Sequence, residues 1–158
     1  KRHPETENVA GIVGLAKALE IAGKKMAADA ERLGTLADYF ITAITAAIPH
    51  THVNSPRHNR IPQTVNLSFA GAEGESIILS LDIEGIAASS GSACTSGATE
   101  PSHVLVAMGI DRIVAQGAVR FSLGRSTTRE QIDRVLQALP PIIERLRAMS
   151  PVSPHTRS

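Results

Sequence analysis

The sequence predicts an α+β domain of two layers, helices laid over a small sheet. Three observations predict it. A long N-terminal stretch carries apolar residues at three- and four-residue steps, and two short segments alternate apolar with polar residues. A capped, apolar-faced helix then closes the chain.

The first helix follows from Val9, Ile12, Val13, Ala16 and Leu19, continued by Met26, Ala30, Leu33, Ala37, Phe40, Ile44 and Ile48. Gly23 and Gly34 weaken it, so one bent helix or two abutting ones both fit, and Pro49 ends it. The Met and Ile stripes are expected in the core, and Glu31 and Arg32 on a solvated face. Residues 50–62, rich in His, Asn, Arg and Pro, read as an irregular connection with a short strand at His52–Asn54.

Thr64–Phe69 alternates Val65, Leu67 and Phe69 with Asn66 and Ser68, the pattern of a strand. The chain turns at Gly71–Gly74, forms a short helix over Glu75–Asp82 that Gly85 stops, and enters a brief buried strand at Ile86–Ala88. Ser89–Thr99, almost wholly Ser, Gly, Ala and Thr around Cys94, has no apolar face to bury and is expected to be a mobile surface loop. Pro101, placed at a first helical position, opens a helix that Gly109 ends. Ala118–Ser122 is a further strand. Thr127 and Glu130 form a capping box for a helix faced by Ile132, Val135, Leu136 and Leu139. Pro140 and Pro141 interrupt or restart it before Ile142, Ile143 and Leu146, and residues 151–158 read as a frayed tail.

Composition excludes several classes of function. A net charge of +1 over 158 residues, with scattered arginines, gives no electrostatic case for nucleic acid or an anionic membrane. Aromatics at 3% with no Trp disfavour a base-stacking platform. No apolar run reaches the roughly 18 residues of a membrane span. The single cysteine makes no internal disulfide, and no signal peptide opens the chain, so a reducing cytoplasmic setting is expected.

Two residues stand out chemically. Cys94 sits among Ser92, Ala93, Thr95 and Ser96, which offer nothing apolar to sink into, although free cysteines are commonly small buried hydrophobes. A reactive thiol on such a loop needs help to ionise, because its ordinary pKa is about 8.5. Arg120 lies inside a strand pattern and reads equally as a fork for a substrate carboxylate or as an edge-strand arginine in water. His50, His52 and His58 lie in an irregular segment with no cysteine partner, and no metal is expected there. No phosphate-binding glycine motif and no Gly-x-Ser-x-Gly elbow is present.

The run Ser89-Ser90-Gly91-Ser92-Ala93-Cys94-Thr95-Ser96-Gly97, followed by Glu100-Pro101-Ser102-His103-Val104-Leu105, closely resembles the active-site loop of cysteine desulfurases of the NifS/IscS type. Arg120-Phe121-Ser122-Leu123-Gly124-Arg125, Thr127-Thr128-Arg129-Glu130-Gln131-Ile132-Asp133, Thr6-Glu7-Asn8-Val9-Ala10-Gly11 and Asn66-Leu67-Ser68-Phe69 are similar to further stretches of that family. The resemblance implies the small domain of the class V aminotransferase architecture (fold type I), with a mainly antiparallel sheet, over residues 1–150, its linking helix spanning about 7–48.

It also implies a homodimer that uses pyridoxal 5'-phosphate to turn L-cysteine into L-alanine and an enzyme persulfide. The sulfur then passes to an iron–sulfur scaffold or another acceptor protein. In that picture Cys94 is the nucleophile and makes any transient iron–sulfur contact, Arg120 binds the substrate carboxylate, and Thr6 reaches the cofactor phosphate of the neighbouring subunit. Two departures stand against the pattern. The family's Schiff-base lysine follows a histidine, and no His-Lys pair occurs here, which places that lysine in a large domain outside this chain. Where the family has glycine before the threonine, Glu5 adds bulk and negative charge beside a phosphate. A non-catalytic stand-alone domain, serving as persulfide acceptor or dimerisation module, is the rival expectation. Isolated from its large domain, the long helix is expected to expose apolar surface.

Overall fold

A computed structural model describes residues 7–56, 59–90 and 101–150. The elements run α1 (Val9–Ala47), β1 (Thr51–Val53), β2 (Thr64–Phe69), α2 (Gly74–Ile83), β3 (Ser89–Ser90), α3 (His103–Ala107), α4 (Arg112–Gln116), β4 (Ala118–Ser122) and α5 (Arg129–Met149). The four strands form one antiparallel sheet in the order β1-β2-β4-β3. The α+β expectation holds. Among the described residues, no helix is long and apolar enough to cross a membrane.

α1 is one unbroken helix of 39 residues, opened by Asn8, whose Oδ1 accepts the Gly11 N–H at 3.0 Å. A helix of that length runs about 58 Å, far more than a six-residue strand can cover. Its C-terminal half therefore carries the core residues Leu33, Ala37, Phe40 and Ile44, while its N-terminal half overhangs. This corrects the expectation that every Met and Ile stripe is core: Ile12 is 57% exposed and Met26 69%. Val9, Val13, Leu15 and Leu19 are exposed with them, the uncovered apolar surface expected of the isolated helix. The overhang is braced by Lys24 and Lys17, both bonded to Glu20 at 2.6 and 2.9 Å. Lys24 first, then Lys17, holds the Glu20 carboxyl below its ordinary range.

The core lies between α1, α2 and α5 and one face of the sheet, where Val65, Leu67, Phe69, Val119 and Phe121 point inwards. Phe40 and Phe121 meet edge to face with centroids 5.0 Å apart. Tyr39 ties α1 to α5 twice: its hydroxyl donates to Asp133 Oδ1 at 2.6 Å, and the Arg129 guanidinium lies 4.0 Å over its ring. A Cβ on Gly74 would stand 2.6 Å from the Ala118 carbonyl oxygen, so glycine is what lets α2 begin against β4. A smaller cluster of Leu105, Ala115 and Ala118 brings α3 and α4 onto the opposite face of the sheet.

Several expected boundaries move. The strand placed at Ile86–Ala88 is instead β3 at Ser89–Ser90, because the Ile86 N–H turns back to the Leu81 carbonyl at 2.9 Å in the closure of α2. Gly85 adopts φ +71° in that closure, and Gly109, at φ +83°, ends α3 in the same way. Ser89 and Ser90 thus belong to the sheet and not to the expected loop. Pro101 precedes α3 without entering it; Ser102 is the N-cap. The capping box is Thr128 with Gln131, one residue on from the expected pair, and Thr127 Oγ1 accepts from the Gly124 N–H at 2.8 Å instead. The short strand after α1 is Thr51–Val53. Pro140 and Pro141 leave α5 continuous, since buried Leu139, Ile142 and Ile143 hold that turn against the core. α4, five residues long and capped by Asp111, has no counterpart in the sequence reading.

Candidate functional site

Alternation along the strands puts Asn66 and Ser68 of β2 and Arg120 of β4 on the face away from the main core. Register then aligns them. Asn66 stands opposite Arg120, and Ser89 of β3 stands opposite Arg120 on its other side. Asn54, just past β1, donates its backbone N–H to the Asn66 carbonyl at 2.9 Å and extends the same row. One line of polar residues, Asn54–Asn66–Arg120–Ser89, therefore crosses the whole sheet. The Leu123–Gln63 and Phe69–Gly117 backbone bonds set the alternation of the β2–β4 ladder. Asn66 and Arg120 accordingly form one of its close, non-hydrogen-bonded pairs, with Cα atoms about 4.5 Å apart in such geometry.

Asn54, only 5% exposed, donates Nδ2 to Asn66 Oδ1 at 2.7 Å and to Ser68 Oγ at 2.8 Å. The Asn66 N–H is taken by Ser55 Oγ at 2.9 Å. Two atoms of this row are buried with no partner among the described residues: Asn54 Oδ1 and Arg120 Nε. Leaving such a group unpaired costs on the order of 1–3 kcal/mol, and such groups are few in native proteins. Arg120 makes no ion pair among the described residues, and its Nη atoms are not among the buried, unpartnered ones, so they are the open end of the fork. β4 runs between β2 and β3, which removes the edge-strand reading of this arginine. A half-buried guanidinium on a polar surface is suited to a carboxylate.

The other expected residues fare differently. Cys94 and Thr6 lie outside the described residues, as do the Cys loop from Gly91 and His58. Among the described residues, no three His, Cys, Asp or Glu gather to hold a metal. Lys17 and Lys24 are paired with Glu20 on the exposed half of α1, and Lys25 is exposed beside them. No described lysine therefore lies at the polar face, and the described residues do not fit a complete pyridoxal phosphate site. A cavity of about 260 Å³ does open between α1, α5 and the end of β4, lined by Phe40, Ile86, Phe121, Gln131 and Arg134. It lies on the core side, and Arg134 there donates to the Glu84 carbonyl at 2.6 Å. Sequence reasoning missed Asn54 and Asn66 as site residues. The available signal was Asn66 and Ser68 alternating with Val65, Leu67 and Phe69, but which polar face is covered depends on register.

The sequence matches the family model "Aminotransferase class-V" over residues 1–135. It is 50% identical to the cysteine desulfurase IscS of Dictyoglomus turgidum over 92% of this chain and 37% of that protein. It is 49% identical to the cysteine desulfurase NifS of Azotobacter vinelandii over 95% of this chain and 37% of that protein. A solved structure described as a NifS-like protein superposes with a TM-score of 0.75 at 32% identity, over 89% of this chain and 35% of that one. The chain thus spans a little over a third of the length of these relatives. The chain belongs to the class-V aminotransferase family.

Proposed function

We propose that this chain is the substrate-gripping and sulfur-accepting part of a cysteine desulfurase. The observation that carries the reading is Arg120: a guanidinium on an interior strand with no ion pair among the described residues, its open end on the polar face. A domain that only accepted persulfide sulfur or only dimerised has no use for a carboxylate fork. The identity to proteins named cysteine desulfurase over more than nine-tenths of this chain supports the same reading.

Arg120 grips the carboxylate of L-cysteine with charge-assisted hydrogen bonds. The Cys94 sulfur attacks the substrate sulfur, and the S–S bond forms as the substrate Cβ–S bond breaks. The electron pair of the broken bond stays on Cβ, which takes up the proton given by the Cys94 thiol, and L-alanine and a Cys94 persulfide result with no further oxidant. β3 supports this arrangement, because Ser90 lies four residues before Cys94 and four residues span at most about 14 Å. Thiolate formation requires a neighbouring cation or a bound group to lower the thiol pKa. Pyridoxal phosphate, which the family implies, is held by the part of the enzyme that supplies the lysine. In a homodimer, Thr6 would reach its phosphate from the neighbouring subunit, a contact that the bulk and charge of Glu5 would weaken. The sulfur passes to an iron–sulfur scaffold or another acceptor protein, in a reducing cytoplasmic setting.

Replacing the nucleophile tests this directly. In the cofactor-loaded enzyme, Cys94→Ala is expected to abolish sulfide release from L-cysteine while leaving the cofactor's visible absorption in place. Mass spectrometry of the wild type is expected to find the extra sulfur atom on the Cys94 peptide. Sulfide release by Cys94→Ala at the wild-type rate would overturn the assignment.

A further inference from the structure

We infer that Asn66 is a second carboxylate-binding residue, its side-chain NH2 joining the Arg120 guanidinium on the same substrate group; this rests on the reading of Arg120 given above. A carboxamide offers one oxygen acceptor and one NH2 donor. Asn54 Nδ2 occupies the Asn66 oxygen at 2.7 Å and thereby fixes which way the amide faces. The NH2 of Asn66 is left turned away from Asn54, on a residue whose other cross-strand neighbour is Arg120. Asn66 Nδ2 has no hydrogen bond among the described residues, and it is not one of the buried, unpartnered atoms, so it is open to a ligand.

In this close cross-strand pair the Nη atoms of Arg120 and the NH2 of Asn66 are donors with no hydrogen bond among the described residues, and Arg120 makes none to the Asn66 oxygen. A carboxylate, which only accepts, satisfies both at once. The covering of Asn54 supports the same design, since this residue is almost fully buried and spends both its amide hydrogens orienting Asn66 and Ser68. It does so although its own oxygen is left without a partner among the described residues. Asn54 is accordingly a positioning residue, acting on the substrate only through Asn66.

The test is carboxylate selectivity in the cofactor-loaded enzyme, measured as kcat/KM for L-cysteine divided by kcat/KM for L-cysteinamide. Asn66→Ala is expected to lower that ratio about tenfold, in keeping with the loss of one hydrogen bond to a charged group. The fall should appear in KM for L-cysteine, with cysteinamide nearly unchanged. Asn66→Asp, which still accepts from Asn54 and so keeps the buried network, serves if Asn66→Ala fails to fold; it is expected to lower the ratio further. A ratio unchanged in the folded Asn66 variants, with Arg120→Ala lowering it, would overturn the role of Asn66 alone. A ratio unchanged in Arg120→Ala as well would overturn the carboxylate reading of the whole face.

Discussion

The two faces of the small sheet are built from alternate residues of the same strands, yet they do opposite work. On one face Val65, Leu67, Phe69, Val119 and Phe121 are buried in one apolar cluster with residues of α1, α2 and α5. On the other, Asn54, Asn66, Arg120 and Ser89 stand in one cross-strand row, with two buried atoms unpartnered among the described residues. Arg120 and Phe121 are neighbours in sequence and belong to different systems. The large apolar core lies on the first face, with only the small cluster of Leu105, Ala115 and Ala118 on the second, and the polar row of the second face departs from what stability alone selects. A strand that packed for its own sake would pair its polar groups or replace them.

The largest effect is expected at Phe121. Phe121→Ala removes the ring that meets Phe40 edge to face and leaves a hole in a closed core. We expect a loss of about 3–5 kcal/mol, read from the urea midpoint, with KM for L-cysteine unchanged in whatever fraction remains folded. Next in size is Arg120→Ala. It should raise KM for L-cysteine by about 2–3 kcal/mol of lost binding, on the order of 30-fold or more, while the unfolding midpoint stays level or rises as the unpartnered Nε is removed. A fall in stability comparable to that of Phe121→Ala would mark this arginine as a structural residue.

Smallest is the overhanging half of α1. Met26 and Phe40 obey the same periodicity, but one is 69% exposed and the other 1%. Met26→Gln is expected to move the urea midpoint by no more than about 0.5 kcal/mol. A loss as large as a core substitution would show that this half of the helix is covered in solution, for example by a second copy of the chain.

That contrast also shows how far the sequence could be read. Apolar spacing revealed α1, and alternation revealed β2 and β4, because both are local properties of the chain. Spacing does not say what a face packs against, so Met26 looked like core. α4 has five residues, too few for a period to appear, and β3 consists of two serines that become a strand only by pairing with β4. Arg120 was legible as a candidate, but its choice between fork and edge-strand arginine waited on strand order. Asn54 and Asn66 were not legible as site residues, since only a register joining residues 12 and 54 positions apart brings Asn54, Asn66 and Arg120 into one row.

The most direct measurement is a paired one on two adjacent residues: KM for L-cysteine and the urea midpoint in Arg120→Ala and in Phe121→Ala. A raised KM with an intact midpoint in the first, and an intact KM with a lowered midpoint in the second, is the expected result. An Arg120→Ala enzyme with unchanged KM and a lowered midpoint would contradict the assignment of the polar face to substrate.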